Sequence, residues 1–262
     1  MKPAPNNDRP LLPWRVRTSM VLRSLLIQVT NNFERMQSLG FVYALWPALT
    51  VAYRDEGERR AAARRHLEFF NTQPYLANSI LGVVAHAELV ERGPGLEENV
   101  ARVKRAMMGV FGALGDDLFW AGLMPASALI ALTVYAVRPD LAIAGLVAAF
   151  VIYNVFHLWS RIRLFDLSLQ YGRRVTRVLR KLRLPSLVLV IKAAGAFLVG
   201  GFVALAVWRA AGTGVIPRVG VLAFGAALVL TYLLQRLGIK PGWCWFIIGT
   251  AATAAGALLR LR

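Results

Sequence analysis

Apolar and polar positions change their spacing several times along this chain of 262 residues. From Met20 to Gln37, Leu22, Leu25, Leu26, Val29, Phe33 and Met36 recur at helical spacing, opposite Arg23, Gln28, Asn31, Glu34 and Arg35. That pattern predicts an amphipathic helix too polar to span, lying at a membrane surface or against another subunit. The run Leu39 to Ala52 is short and holds Pro47, which suits a re-entrant or partly inserted segment. Arg54 to Arg65 is strongly charged and aqueous. A helix is predicted over Ala61 to Phe70, with Arg64 and Glu68 paired four residues apart. Pro74 ends it, which leaves Asn71, Thr72 and Gln73 in a break between two helical pieces.

Tyr75 to Val90 is moderately apolar, Gly93-Pro94-Gly95 makes a turn, and Leu96 to Met108 reads as a solvated helix. Gly109 to Trp120 places three glycines before Asp116 and Asp117, which either cap the next helix or mark a functional re-entrant turn. Downstream, Leu118 to Val137, Leu141 to Ser160, Val219 to Gln235 and Pro241 to Leu259 carry no charge, and Leu184 to Trp208 carries only Lys192. Each is near the ~20 residues a bilayer requires, so the predicted fold is all-α and polytopic, with about five crossings. Lys192 is expected to snorkel toward the basic end of its run. Three regions follow: a loose tail over 1–17, an amphipathic, cytoplasmic and re-entrant region over 18–120, and a transmembrane region over 121–262.

Composition sharpens this outline. Hydrophobic residues make up 57% of the chain and mean hydropathy is +0.51, so the chain belongs in a bilayer. The net charge of +17 comes from arginines between apolar runs, the mark of cytoplasmic loops facing anionic lipid rather than of a nucleic-acid module. The cluster Arg161 to Arg183 is expected to be a cytoplasmic loop, which puts the N-terminus inside, while Arg260 and Arg262 at the outer end oppose that scheme. Trp243 and Trp245 would form an inner aromatic belt. The single cysteine, Cys244, excludes a disulfide or thiolate metal cluster.

No phosphate loop, zinc-binding helix or nucleophile elbow is present, and the three histidines are far apart. His66 is expected to pack against Phe69 and Phe70, His86 to lie on a helix surface, and His157 to bond a neighbouring helix. The uncharged break at 71–73 has the donors and acceptors a neutral polyhydroxyl ligand needs, although Asn and Thr are also ordinary helix caps.

Three blocks together resemble a known family: Asn32-Phe33-Glu34-Arg35-Met36-Gln37-Ser38-Leu39-Gly40-Phe41, then Arg64 to Pro74, then Gly115-Asp116 followed by Leu118-Phe119-Trp120. They are similar to the IID membrane component of the mannose/fructose/sorbose-type sugar phosphotransferase system. The resemblance implies a transporter subunit that is not catalytic on its own, needs no cofactor or metal, and pairs with a IIC membrane subunit as a trimer of pairs. A hexose would cross and be phosphorylated by a separate IIB protein. Carried over by position, Asn71, Thr72 and Gln73 become sugar contacts. Glu34, Arg35 and Gln37 become candidates for the same cavity or for the IIC contact, Asp116 is a substrate-site candidate that orients the glycine-rich hairpin, and Arg35, His66, Glu68 and Trp120 serve partner contact or structure. The family pattern has proline where this chain has Asp117, tryptophan at Asn31 and arginine at Met124. The alternative is a membrane scaffold in a reduced pathway that keeps the fold without transport.

Overall fold

The computed structural model describes residues 11–181 except 92 and 94, together with 186–195, 199, 200 and 202. These residues are helical, with no strand among them and only two isolated bridges, Asn32 with Met36 and Met36 with Phe70. The helices are α1 (Trp14–Ser24), α2 (Ser38–Ala52), α3 (Glu56–Arg65), α4 (Ala77–Val90), α5 (Leu96–Gly115), α6 (Met124–Val137), α7 (Ala142–Tyr171), α8 (Val175–Lys181) and α9 (Ser186–Gly195). They fall in a unit that ends at Leu198. The predicted crossings at 219–235 and 241–259, with Trp243 and Trp245, lie outside the described residues, as does much of 184–208.

Helix α1 begins at Trp14, inside the segment read as a tail, and stops at Ser24, where turns take over. The predicted helix over 20–37 is therefore two structures, because Asn32 folds the chain back. Its Oδ1 accepts from the amides of Glu34 and Arg35 at 3.1 and 2.8 Å, and Met36 takes a left-handed φ of 52°. Helix α2 is unbroken by Pro47, which deprives the Tyr43 carbonyl one turn earlier of its donor. Arg23 of α1 supplies a replacement, its Nη1 donating to that carbonyl at 3.3 Å.

Helix α3 starts at Asp55, whose Oδ1 accepts from the Glu58 amide at 2.8 Å, and it ends at Arg65, five residues before the predicted limit. Its acids sit in the first turn and its arginines in the last, matching the helix dipole. Glu68 lies past the end and pairs with Lys104 at 3.2 Å instead of Arg64.

Helix α4 is the most buried element and rests on α2 and α7. A Cβ at Gly82 would stand 2.6 Å from the Phe165 carbonyl oxygen, so glycine sets the approach of α4 to α7. Ser79 bonds Ser168 at 2.7 Å, and His86 donates through Nδ1 to the Leu169 carbonyl at 2.8 Å. His86 is thus a packing residue, held against Gly172, whose φ of 51° and lack of Cβ let the ring in.

Helices α5 and α6 join through a π-helical turn, Asp116–Leu123, into one run of 42 residues. The expected re-entrant hairpin is absent. Gly115 instead serves close packing, since a Cβ there would meet the Gln73 Cβ at 2.5 Å. Asp116 and Asp117 cap nothing: Asp116 is exposed within the run, and Asp117 pairs with Lys192 of α9 at 2.6 Å. Lys192 accordingly has a counter-charge within its own bundle. The expected boundary after residue 120 falls inside this π-helical turn.

Leu96–Val137 and Pro139–Leu179 are the two described stretches long and apolar enough to cross a membrane. At 1.5 Å per residue the 30 residues of α7 alone reach about 45 Å, more than the ~30 Å hydrocarbon thickness. Helix α7 continues past Ser160 to Tyr171, so Arg161 is a buried helical residue and not the start of a loop.

Candidate functional site: a polar segment between two helices

The chain between Arg65 and Ala77 is non-helical, and the first two sequence blocks meet there. The Gln37 side-chain amide brackets the backbone of Thr72: Nε2 donates to the Thr72 carbonyl at 2.8 Å, and Oε1 accepts from its amide at 3.2 Å. Main-chain bonds extend the seam, with the Gln37 amide on the Phe70 carbonyl at 2.8 Å and the Phe70 amide on the Arg35 carbonyl at 3.3 Å. Thr72 donates through its hydroxyl to the Met108 carbonyl at 3.0 Å, fastening the segment to α5.

Gln73 is 2% exposed. Its Oε1 accepts from the amides of Tyr75 and Leu76 at 2.7 and 3.2 Å, satisfying donors ahead of α4 in the manner of a capping side chain. Its Nε2 is buried and finds no hydrogen-bond partner among the described residues. Asn71 is exposed. The plain capping role weighed for this segment falls to the Gln73 oxygen, while the Gln73 nitrogen and the Asn71 amide retain unused capacity.

Of the other candidates, Glu34 and Arg35 form an exposed ion pair at 3.3 Å and do not join the buried cluster. Such a pair contributes little to stability. Trp120 is half exposed and stacks beside Tyr75 with ring centroids 6.4 Å apart.

Beneath the segment lies a buried ionic network that the sequence reading did not assign. Glu88, fully buried on α4, accepts from Arg65 Nε and Nη2 at 3.0 and 2.6 Å, from Tyr53 Oη at 2.6 Å and from His66 Nε2 at 2.9 Å. Burial alone would raise the Glu88 carboxyl, but the bonds from His66, Arg65 and Tyr53 outweigh it and hold it down at about 2. Burial holds the His66 imidazole below its ordinary value, and the Lys104 and Arg65 charges add to this against the bond to Glu88. His66 is thus a neutral donor to Glu88 and not a ring packed on Phe69, which is exposed. Lys104, also fully buried, bonds Glu68 and lies 5.0 Å from the Phe41 ring centroid. Glu88 is the sole acid in the apolar run 77–90, and that was the available signal.

A second buried cluster gathers beyond Pro74. Arg161 Nη1 donates to the Ser24 carbonyl and hydroxyl at 2.7 and 3.0 Å and to Asn78 Oδ1 at 3.4 Å, and its guanidinium lies 5.5 Å from the Tyr75 ring centroid. His157 packs on Tyr75 with centroids 3.9 Å apart and accepts from Arg161 Nε at 3.3 Å, within its own helix. Two clefts of about 560 and 520 Å³ flank Arg65 between α3 and the start of α5, and neither is lined by Asn71, Thr72 or Gln73.

No group of His, Cys, Asp and Glu among the described residues could hold a metal ion. A helical membrane protein with an uncharged, largely buried polar segment between a short charged helix and a short apolar one is the class these features define. Residues 14–211 match the model of the PTS system mannose/fructose/sorbose family IID component, and the chain belongs to that family. It is 38% identical over 144 residues to the mannose-specific EIID component of Escherichia coli K12, an alignment covering 53% of this chain and 50% of the relative. It is 34% identical over 158 residues to the fructose permease IID component of Bacillus subtilis, covering 59% of this chain and 54% of the relative. The chain spans about half the length of the curated relatives it matches. Among solved structures, a chain of the mannose transporter ManYZ in complex with microcin E492 aligns with TM-score 0.57 and 27% identity over 94% of this chain and 97% of that one. Another, described only as a membrane protein, gives TM-score 0.68 and 28% identity over 94% and 98%.

Proposed function

We propose that this chain is the IID subunit of a mannose-type sugar transporter, forming with a IIC subunit the path of a hexose that a separate IIB protein phosphorylates. The observation that carries the proposal is the segment 71–73, pinned by Gln37 and Thr72, where Gln73 keeps a buried amide nitrogen without a partner and Asn71 a free amide. An uncharged pair of amides offers donors and acceptors to hydroxyls without demanding a counter-charge. Broken helices that hold ligand between packed elements are also the general design of secondary carriers. Five crossings, an inner-membrane location, a cytoplasmic N-terminus, the three-region division and a trimer of IIC–IID pairs belong to the same proposal.

The test is uptake of labelled mannose, fructose and sorbose by cells lacking their own mannose-type system and expressing this chain with its IIC and IIB partners. Asn71→Ala and Gln73→Ala are expected to lower uptake at least about tenfold with the complex still assembled. Undiminished uptake in both variants overturns the assignment of the segment. The alternative reading, a non-transporting scaffold, draws on Asp117, which stands where the family pattern has proline and pairs with Lys192. An assembled wild-type complex that moves none of the three sugars favours it.

A further inference from the structure

We propose that Arg161 is a positioning residue for Gln73, acting through Tyr75 and Asn78. The inference rests on the carrier reading given above.

Arg161 is 2% exposed on α7 and makes no ion pair among the described residues. Its nearest acid in sequence, Asp166, is taken by Arg17. An unneutralised guanidinium inside a packed bundle costs free energy, and its hydrogen bonds offset that cost only while their geometry holds. Those bonds converge from three elements. The Ser24 carbonyl is the last of α1, at the negative end of that helix dipole. Asn78 stands in the first turn of α4, and Tyr75, under the guanidinium, lies in the turn before it.

Tyr75 carries the coupling. Its ring is held between Arg161 and His157, and its hydroxyl accepts from Tyr153 at 3.0 Å. Its backbone amide donates to Gln73 Oε1 at 2.7 Å, the shortest bond that side chain makes. The ring so held fixes the backbone of the turn, and a shift of that backbone turns the Gln73 amide and re-aims its unpartnered Nε2. Arginine suits the task because one planar group bonds Ser24, Asn78 and His157 while lying on a ring, which a lysine ammonium does not reproduce. The guanidinium bonds Ser24, Asn78 and His157 and not Asn71 or Gln73, so it acts through its neighbours.

The experiment uses the full chain copurified with its IIC partner in lipid nanodiscs, with labelled mannose as probe and amide hydrogen exchange at Tyr75 and Leu76 as a second readout. Wild type and Gln73→Ala come first. If wild type binds none of mannose, fructose and sorbose, or Gln73→Ala binds as wild type does, the carrier reading fails whatever Arg161 does; where fructose or sorbose is the sugar bound, it replaces mannose as the probe. Where binding depends on Gln73, Arg161→Met is expected to weaken it about tenfold or more and to speed exchange at both amides, with Arg161→Lys intermediate and recovery of the complex unchanged. An Arg161→Met complex that assembles and binds mannose with wild-type Kd and wild-type exchange overturns the proposal. Should that variant fail to assemble, Asn78→Ala decides: it is expected to weaken binding severalfold, and a wild-type Kd overturns the proposal equally.

Discussion

Glu88 is the residue on which the base of the polar segment depends. Four donors from Tyr53, Arg65 and His66 meet on its carboxylate, and removing it leaves a largely buried guanidinium without its partner. Glu88→Ala is expected to destabilise by about 3–5 kcal/mol, read as a lower thermal midpoint in detergent. The pH dependence has a fixed sign. Because the folded-state pKa lies near 2, below the ordinary 4.5, the group contributes its full stability above about 4.5 and loses it as pH falls toward 2. The thermal advantage of wild type over Glu88→Gln is thus expected to be flat from pH 7 to 5 and to shrink below 4.5. An advantage that grows on acidification would show that Glu88 is protonated in the fold. At Gly115, an added Cβ would stand 2.5 Å from that of Gln73. Gly115→Ala is expected to cost about 1–3 kcal/mol in overpacking and to impair hexose binding more than Gly109→Ala, whose Cβ meets nothing.

Among the elements, what was legible in the sequence is what depends on neighbours along the chain. Pro74 announced a break at 71–73, although the helix before it stops earlier, at Arg65, and uninterrupted apolar runs announced the two spans. Contacts between distant residues left no such trace. Gln37 meets Thr72 across 35 positions, and Arg161 looked like the first residue of a basic loop because helix and loop share composition there. The continuity of α2 through Pro47 was hidden for the same reason: proline frees the Tyr43 carbonyl, but the donor that replaces the lost bond comes from Arg23, on another helix. Arg23→Met is expected to remove that exposed bond, costing about 0.5–1.5 kcal/mol and raising hydrogen exchange in the second half of α2. Glycines at 109, 112 and 115 suggested a hairpin, whereas Gly115 serves a close approach of α5 to the polar segment.

For the whole molecule, family membership and two apolar spans establish a membrane protein, and the exposed apolar faces of α6 and α7 agree with that setting. Ile143, Leu146 and Phe150 are all largely exposed in the isolated chain. Copurification from native membrane is expected to return a second polytopic subunit. The proposed hexose site is the segment 71–73. The direct measurement is photocrosslinking with a diazirine-bearing mannose on the complex in membrane, followed by mass spectrometry of the labelled peptides. Label on the peptide holding Asn71, Gln73 and Tyr75, displaced by excess free sugar, is the expected result. Displaceable label confined to the clefts beside Arg65, or none on this chain, would contradict it.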